Sequence, residues 1–346
     1  MADSIHVKLP DGSVKEVPKG TTAFDIAKSI GQRLADATLV AKTNGDLIDV
    51  TRPLEKDTDL RLLTDRDPEA LEVYRHSSAH LLAAAVLELF PETKLGHGPP
   101  TDTGFFYDFY RPIPFTPDDL QKIEKKMQEL VQQDIPYARE FLPRNEGLEK
   151  FKGEGDFMKC HFIEQFTKPD EKISIYKTGK FLDFCRGPHI PSTGKIKAFR
   201  LLNIAGAYWL GDEKNPQLQR IYGTSFFSKK DLDDFLNKQE EAKKRDHRVL
   251  GQQLDLFSIQ ELAGPGLIFW HPKGRDHPQR DGRLDARRIS EARLLAGVHA
   301  ARGAAAVVAD LRARRLLRVE YVRCHGARRR RISPKAHELP VPHPDL

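Results

Sequence analysis

The sequence has few cysteines and no long apolar segment. Its 346 residues include three cysteines, Cys160, Cys185 and Cys324, which are too few and too scattered for a disulfide framework. The first ten residues contain neither the basic nor the apolar stretch of a secretory signal. The longest apolar run, residues 81–87, is far shorter than the ~20 residues that span a bilayer. We therefore expect a soluble, cytoplasmic protein that has no membrane partner.

Phenylalanine and tryptophan are missing from the last part of the chain, where arginine is abundant. All 19 Phe and both Trp lie before residue 275. Residues 275–346 contain 16 Arg, 1 Lys and 8 acidic residues, a net charge of +9, whereas the whole chain has a net charge of +6. A segment with so few large apolar side chains cannot bury a core. We predict that residues 275–346 form a largely unstructured tail rich in Arg and Ala.

Residues 1–64 have the pattern of a small domain with helices and strands. Alternating apolar residues on both sides of an Asp-Gly turn predict a β-hairpin over residues 5–17. Thr22, followed three residues later by Asp25, is a capping-box signal for a helix that ends near Gly31. Short strands are predicted after this helix, at residues 38–42, 47–48 and 59–63. This order is typical of a β-grasp, ubiquitin-like domain.

Residues 65–227 have the pattern of a second domain, which makes the fold class α+β. Asp67 and Pro68 suit the N-cap and the first position of a helix that ends before Pro91. An aromatic strand follows at residues 105–109, and apolar residues at helical spacing indicate a further helix after it.

A polar segment separates this second domain from the end of the chain. Residues 228–250 are rich in charges of both signs, and we interpret them as a linker helix with a solvated surface. Residues 251–274 contain a Gly-Pro-Gly turn followed by a short apolar strand.

Two pairs of residues at a spacing of four carry most of the chemical signal. His76 and His80 lie one turn apart on the first predicted helix of the second domain, so both imidazoles can reach one point. Cys185 and His189 have the same spacing across a Gly-Pro turn. Converging pairs would suit either a tetrahedral zinc site or a metal-free hydrolytic cleft that positions water. Neither pair has the C-x₂-C spacing of a structural zinc module, and spacing alone does not choose between the two readings.

Four longer segments make a family resemblance specific. They occur in this order: HSSAHLLAAA, GPPTDTGFFYDF, FLDFCRGPHIPSTGKIKAFRLLNIAGAYWLGD and GPGLIFWHPKG. Together they resemble bacterial-type threonyl-tRNA synthetases over residues 1–274. The resemblance implies a TGS domain at 1–64, an editing domain (the threonyl/alanyl second additional domain) at 65–227, a linker helix at 228–250 and the start of the class II core at 251–274.

In that family the editing domain hydrolyses tRNA(Thr) that has been mischarged with serine. Serine lacks only one methyl group of threonine, and one such group discriminates by roughly 1–3 kcal/mol, which is too little without a second selection step. The resemblance therefore implies tRNA(Thr) as the partner. It also implies a set of editing residues, which are His76, His80, Tyr107, Lys159, Asp183, Cys185 and His189.

The roles of these residues follow from the resemblance and from their chemistry. We expect His76 with Lys159 to position or activate the water that attacks the ester carbonyl. Asp183 is expected to recognise the ammonium or hydroxyl group of the seryl moiety through a charge-assisted contact. The other members, His80, Cys185 and His189, would shape the pocket and hold a second water, and Tyr107 would line it.

No motif of the family's aminoacylation core is recognisable after Gly274. We therefore expect no ligase activity, no ATP or zinc site of the core, and a monomer, because the family's dimer interface lies largely in that core. The composition changes at the same point, and a shifted reading frame in GC-rich DNA explains it most simply, with an evolved extension as the alternative. Three functions remain open: an editing hydrolase, an inactive fragment of a synthetase, and a non-catalytic RNA-binding module that uses the Arg-rich tail.

Overall fold

The computed structural model describes residues 3–259 and 267–273 of the chain. The described residues divide into two units, one that ends at Asn237 and one that begins at Lys238. The two domains predicted before residue 228 both lie in the first unit. Within the described ranges, no helix is both long enough and apolar enough to cross a membrane.

The amino-terminal part of the first unit, which we call the β-grasp region (residues 3–64), is a mixed five-stranded sheet with two helices. Its elements are β1 (Ser4–Lys8), β2 (Val14–Pro18), α1 (Ala23–Ile30), α2 (Gln32–Ala37), β3 (Val40–Thr43), β4 (Asp46–Ile48) and β5 (Thr58–Leu63). The strand order is β2-β1-β5-β3-β4, in which β1 and β5 are parallel and the other neighbours are antiparallel. The predicted β-grasp fold is confirmed.

The first helix of this region begins as the sequence predicts. Thr22 Oγ1 accepts a hydrogen bond from the backbone N–H of Asp25 at 3.1 Å, and Asp25 Oδ2 accepts one from the N–H of Thr22 at 3.1 Å. This reciprocal pair is the predicted capping box. The short helix α2, which follows Gly31 directly, was not predicted, because the glycine indicated only an end of helical structure.

The rest of the first unit, which we call the central region (residues 65–227), combines two antiparallel sheets with four α-helices among its described residues. The helices are α3 (Glu69–Leu89), α4 (Pro117–Gln132), α5 (Arg144–Gly153) and α6 (Phe157–Phe166). The strands are β6 (Lys94–Leu95), β7 (Pro100–Thr101), β8 (Gly104–Tyr110), β9 (Ala138–Pro143), β10 (Lys172–Thr178), β11 (Phe181–Phe184), β12 (Ala198–Tyr208) and β13 (Gln217–Phe226). The larger sheet has the order β12-β13-β8-β6, and β7 pairs with β8. The smaller sheet has the order β11-β10-β9. The region is α+β, as predicted.

Helix α3 is buried along most of its length at the centre of this region. Its middle turns consist mainly of small residues and leucines, which pack in one core with the inward face of β8 and with α4. The hydroxyl groups of Ser77 and Ser78 lie 2.8 and 2.9 Å from the carbonyls of Val73 and Tyr74, so they have partners within the helix. His80 lies in this interior and is 2% exposed, whereas His76 is only partly buried.

The start of α3 differs from the prediction. Asp67 does not cap the helix with its side chain: Pro68 occupies the cap position and makes no side-chain cap hydrogen bond. The Asp67 carboxylate instead accepts from the N–H of Thr64 at 2.9 Å and from Arg61 at 2.6 Å. Because the carboxylate is bound to these two donors, it does not accept from the first N–H groups of α3. The two hydrogen bonds instead fix the turn between the β-grasp and central regions.

The predicted single linker helix over residues 228–250 is wrong, because two helices occupy this part of the chain. They are α7 (Lys229–Lys244) and α8 (His247–Gln253). The carboxylate of Asp246 accepts a hydrogen bond from the backbone N–H of Arg248 at 2.8 Å and caps α8, which ends the continuous helix.

The short strand predicted within residues 251–274 is present. The second unit contains an antiparallel hairpin of β14 (Phe257–Ile259) and β15 (Ile268–Trp270). Gly274 and the predicted tail at 275–346 lie outside the described residues.

Candidate active site

Seven side chains singled out from the sequence converge in the central region. Helix α3 carries two of them at its buried middle, and the others come from two strands, a second helix and the segment after β11. Their positions are His76 and His80 on α3, Tyr107 on β8, Lys159 on α6, Asp183 on β11, and Cys185 and His189 in the following turn. The structure thus joins residues that are more than a hundred positions apart in the sequence.

Three imidazoles and a thiol form a tight cluster. The side-chain ligand atoms of His76, His80, Cys185 and His189 all lie within 4.8 Å of one another. Cys185 Sγ lies 3.3 Å from His76 Nε2 and 3.6 Å from His189 Nε2. The backbone N–H of Gly187 also points to this sulfur, at 3.3 Å. These four side chains are a set that could hold a metal ion.

Hydrogen bonds around the cluster fix the orientation of His189. Ser77 Oγ lies 3.0 Å from His189 Nδ1 and accepts from the N–H of Ile190 at 3.1 Å. The Ser77 hydroxyl is also 2.8 Å from the carbonyl of Val73, so its single proton can go either to this carbonyl or to Nδ1. Either assignment joins Ser77 to Nδ1 and leaves Nε2 of His189 facing Cys185.

Burial decides the protonation of the cluster. It lowers the pKa of His76 to about 4 and that of His80 to about 3, and it lowers the pKa of His189 well below its ordinary value. Burial also raises the pKa of the Cys185 thiol to about 12. At neutral pH the cluster therefore consists of three neutral imidazoles and a thiol. Such a set can accept a proton or donate a hydrogen bond without placing an anion in the cleft.

A buried ion pair lies next to the cluster. Lys159 Nζ is 2.5 Å from Asp183 Oδ1, and Tyr107 donates its hydroxyl proton to Asp183 Oδ2 at 2.6 Å. Burial alone would raise the pKa of Asp183, but the positive charge of Lys159 and the hydrogen bonds from Lys159 and Tyr107 outweigh this effect, so the pKa lies below its ordinary value. Asp183 is thus an anion within reach of His80, whose Nε2 is 3.5 Å from Oδ2.

The N-terminus of α6 positions the lysine. The carboxylate of Asp156 accepts a hydrogen bond from the backbone N–H of Lys159 at 3.1 Å and caps the helix. Its second oxygen accepts from the N–H of Leu95 at 3.4 Å, which connects α6 to β6. Asp156 therefore fixes the first turn of the helix from which the Lys159 side chain extends to Asp183.

Exposure shows from which side the cleft can be reached. His80, His189, Lys159 and Asp183 are buried, with at most 3% of each residue's surface exposed. His76 and Cys185 are only partly buried. A ligand would therefore approach from the side of His76 and Cys185, and the ion pair lies deeper in the protein.

Family models match the β-grasp region and part of the central region. Residues 173–222 match the threonyl and alanyl tRNA synthetase second additional domain, and residues 5–64 match the TGS domain. The first match contains Asp183, Cys185 and His189.

Sequence relatives narrow the family further. A threonine–tRNA ligase of Acidobacterium capsulatum is 60% identical over 307 residues, which cover 79% of this chain and 45% of the relative. The chain is a threonyl-tRNA synthetase relative. The corresponding ligase of Janthinobacterium sp. (strain Marseille) is 53% identical over 78% of this chain and 42% of its own length, and that of Burkholderia multivorans is 49% identical over 84% and 46%. The chain thus spans less than half the length of these curated relatives.

In this threonyl-tRNA synthetase relative, further residues that the sequence analysis missed complete the walls of the site. The Tyr137 ring stacks on the His189 ring at 5.1 Å, and the edge of Tyr176 meets the same ring at 4.4 Å. Asp49, from the β-grasp region, accepts from the backbone N–H of His189 at 2.8 Å. Of the missed residues, only Ser77 had a sequence signal, because it lies between the two histidines of α3.

Proposed function

We propose that the central region hydrolyses the aminoacyl ester of tRNA(Thr) mischarged with serine. The observation that carries the proposal is the convergence of His76, His80, Cys185 and His189 within 4.8 Å, beside the buried pair of Lys159 and Asp183. A cleft with neutral bases next to one carboxylate suits a substrate that has an ammonium group and a reactive ester.

The choice of substrate rests on the relatives. Their name describes enzymes that join threonine to its tRNA. Serine differs from threonine by one methyl group, and binding alone discriminates by only roughly 10–200-fold for one such group. A hydrolytic site that accepts the smaller seryl group removes the error, and the match to the second additional domain supports this role here.

The reaction needs a proton acceptor for the attacking water and a proton for the departing ribose oxygen. His76 is neutral and partly exposed, and its Nε2 lies 3.3 Å from Cys185 Sγ. Its ring can therefore accept a hydrogen bond from a water that binds next to Cys185. His76 takes a proton from the water as the water oxygen bonds to the ester carbonyl carbon, and the same proton passes to the ribose oxygen as the ester bond breaks, so the products are serine and tRNA with a free ribose hydroxyl. Asp183 would bind the seryl ammonium group, and Lys159 would help His76 to position the attacking water.

Zinc chemistry in the same cleft is the alternative to a metal-free mechanism. A tetrahedral zinc ion with bonds of ~2.0 Å to nitrogen and ~2.3 Å to sulfur separates these ligand atoms by about 3.5 Å. The two sulfur–nitrogen distances of 3.3 and 3.6 Å fit this value. Four protein ligands, however, would leave no coordination position for a reactive water, whereas catalytic zinc sites keep one open. We therefore propose a metal-free hydrolytic cleft.

Deacylation of seryl-tRNA(Thr) by the full chain tests the proposal. Purified wild-type protein should release serine faster than threonine, and His76→Ala should slow the release by roughly 100-fold, the usual contribution of a positioned proton acceptor. The control is His247→Ala, because the His247 side chain is 86% exposed and lies outside the central region. Release by the wild type at the uncatalysed rate would refute the proposed function.

A further inference from the structure

A carboxylate of the β-grasp region reaches into the central region. Asp49 follows β4 and is only 6% exposed. One of its oxygens accepts from the backbone N–H of His189 at 2.8 Å. The hydroxyl of Tyr176 lies 2.9 and 2.8 Å from the two oxygens, and Arg139 Nη1 lies 3.5 Å from one of them. All three partners belong to the central region.

These contacts fix the turn that carries two members of the cluster. The N–H of His189 lies at the end of this turn, and the Tyr176 ring packs against the His189 imidazole. Gly187, in the middle of the turn, has a φ of +69°, and a Cβ atom there would lie 1.9 Å from the Tyr176 hydroxyl. The turn is thus closely packed on Tyr176, and Asp49 holds Tyr176 and His189 together.

Apolar packing supports the same contact. Leu39, Val40 and Leu63 of the β-grasp region belong to one continuous buried core with α3 and β8 of the central region. The carboxylate of Asp49 is therefore presented from a sheet that is itself packed on the helix carrying His76 and His80. A buried carboxylate that accepts several hydrogen bonds imposes their directions on all of its donors.

We propose that Asp49 is a positioning residue of the candidate active site, so that the β-grasp region completes the cleft of the central region. Asp49 acts through the backbone of His189 and the ring of Tyr176, and it sets the distance of the Cys185–His189 turn from α3. The inference rests on the proposed function only for its kinetic readout, because the placement of His189 can be measured without a substrate.

The experiment compares three variants of the full chain. Asp49→Ala removes the acceptor, whereas Asp49→Asn keeps an oxygen for the His189 N–H and a polar group for Tyr176. Lys195→Met is the matched control, because Lys195 Nζ also joins the two regions, through the carbonyl of Asp36 at 2.8 Å, but not at the cluster. We expect Asp49→Ala to lower kcat for seryl-tRNA(Thr) by roughly tenfold or more, with a smaller change in KM. Asp49→Asn should retain most of kcat, and the control should match the wild type.

A spectroscopic readout separates positioning from the proposed function. With ¹⁵N-labelled histidine, the backbone amide of His189 should resonate downfield because it donates to a carboxylate, and its ring nitrogens should report one tautomer, held by Ser77 and Cys185. Asp49→Ala should shift both signals, and Asp49→Asn should largely restore them. An unchanged His189 spectrum in Asp49→Ala overturns the inference, and so does an equal loss of kcat in all three variants. A wild type without hydrolysis refutes the proposed function, while the spectra still decide the role of Asp49.

Discussion

Acidification should destabilise the protein through the buried histidines of α3. His76 and His80 have pKa values of about 4 and about 3 in the fold, whereas a histidine in an unfolded chain has a pKa of about 6.5. A depressed pKa means that the unfolded state takes up the proton first. The stabilisation by these neutral rings is therefore complete above about pH 6.5 and is lost as the pH falls towards 4.

The size of the effect follows from the same values. At about pH 5 the unfolded chain binds protons at both positions, whereas the folded chain does not. The unfolded pKa of about 6.5 lies about 1.5 pH units above this pH, which corresponds to about 2 kcal/mol per histidine. The two residues together should cost about 4 kcal/mol of unfolding free energy between about pH 7.5 and about pH 5. Asp183 does not contribute to this window, because its pKa lies below the ordinary value for a carboxyl group.

Urea unfolding followed by circular dichroism measures this loss. The chain has 13 histidines, so the effect of two is obtained by comparing the wild type with the double variant His76→Asn, His80→Asn at both pH values. Any stability that the variant loses at neutral pH cancels in the comparison. The double variant should lose about 4 kcal/mol less on acidification, and the exposed His247→Asn should behave as the wild type. Equal losses in the wild type and the double variant would show that these rings are not held neutral by burial.

Two further predictions concern the ion pair and the metal. Lys159→Met should lower the unfolding free energy by about 3–5 kcal/mol, because it leaves the Asp183 carboxylate buried without its partner. Adding Asp183→Asn should recover part of this loss in the same urea experiment, and no recovery would contradict the pairing. Dialysis against a chelator should leave seryl-tRNA(Thr) deacylation unchanged, and metal analysis should find far less than one zinc per chain. Activity that disappears on chelation and returns with zinc would contradict the metal-free cleft.

Local patterns were sufficient to predict the parts of the site that lie on one element. The spacing of His76 and His80 placed both rings on one side of a helix, and the structure brings them to one point because α3 is regular there. Cys185 and His189 were found in the same way across their turn. The capping box at Thr22 was equally local, since both of its hydrogen bonds join residues three positions apart.

Contacts between distant segments left no such pattern. Asp49 is 140 positions from His189, and nothing around it in the sequence indicates a partner in another domain. Tyr176 was one of several aromatic residues at alternating positions in a strand. At Asp246 a local pattern was misleading. The charged residues around it predicted one continuous helix, but its side chain caps the start of the second helix, α8.

The environment of Cys185 also determines how it responds to oxidants. Cys185 is only partly buried, and exposure normally leaves a cysteine open to peroxide and to disulfide exchange. Both reactions require the thiolate, and a thiol with a pKa of about 12 contains almost none of it at neutral pH. The neutral imidazoles beside it supply no positive charge that would stabilise the anion. A cysteine at the entrance of the cleft can therefore persist in its reduced form under oxidising conditions that would inactivate a site built on a reactive thiolate.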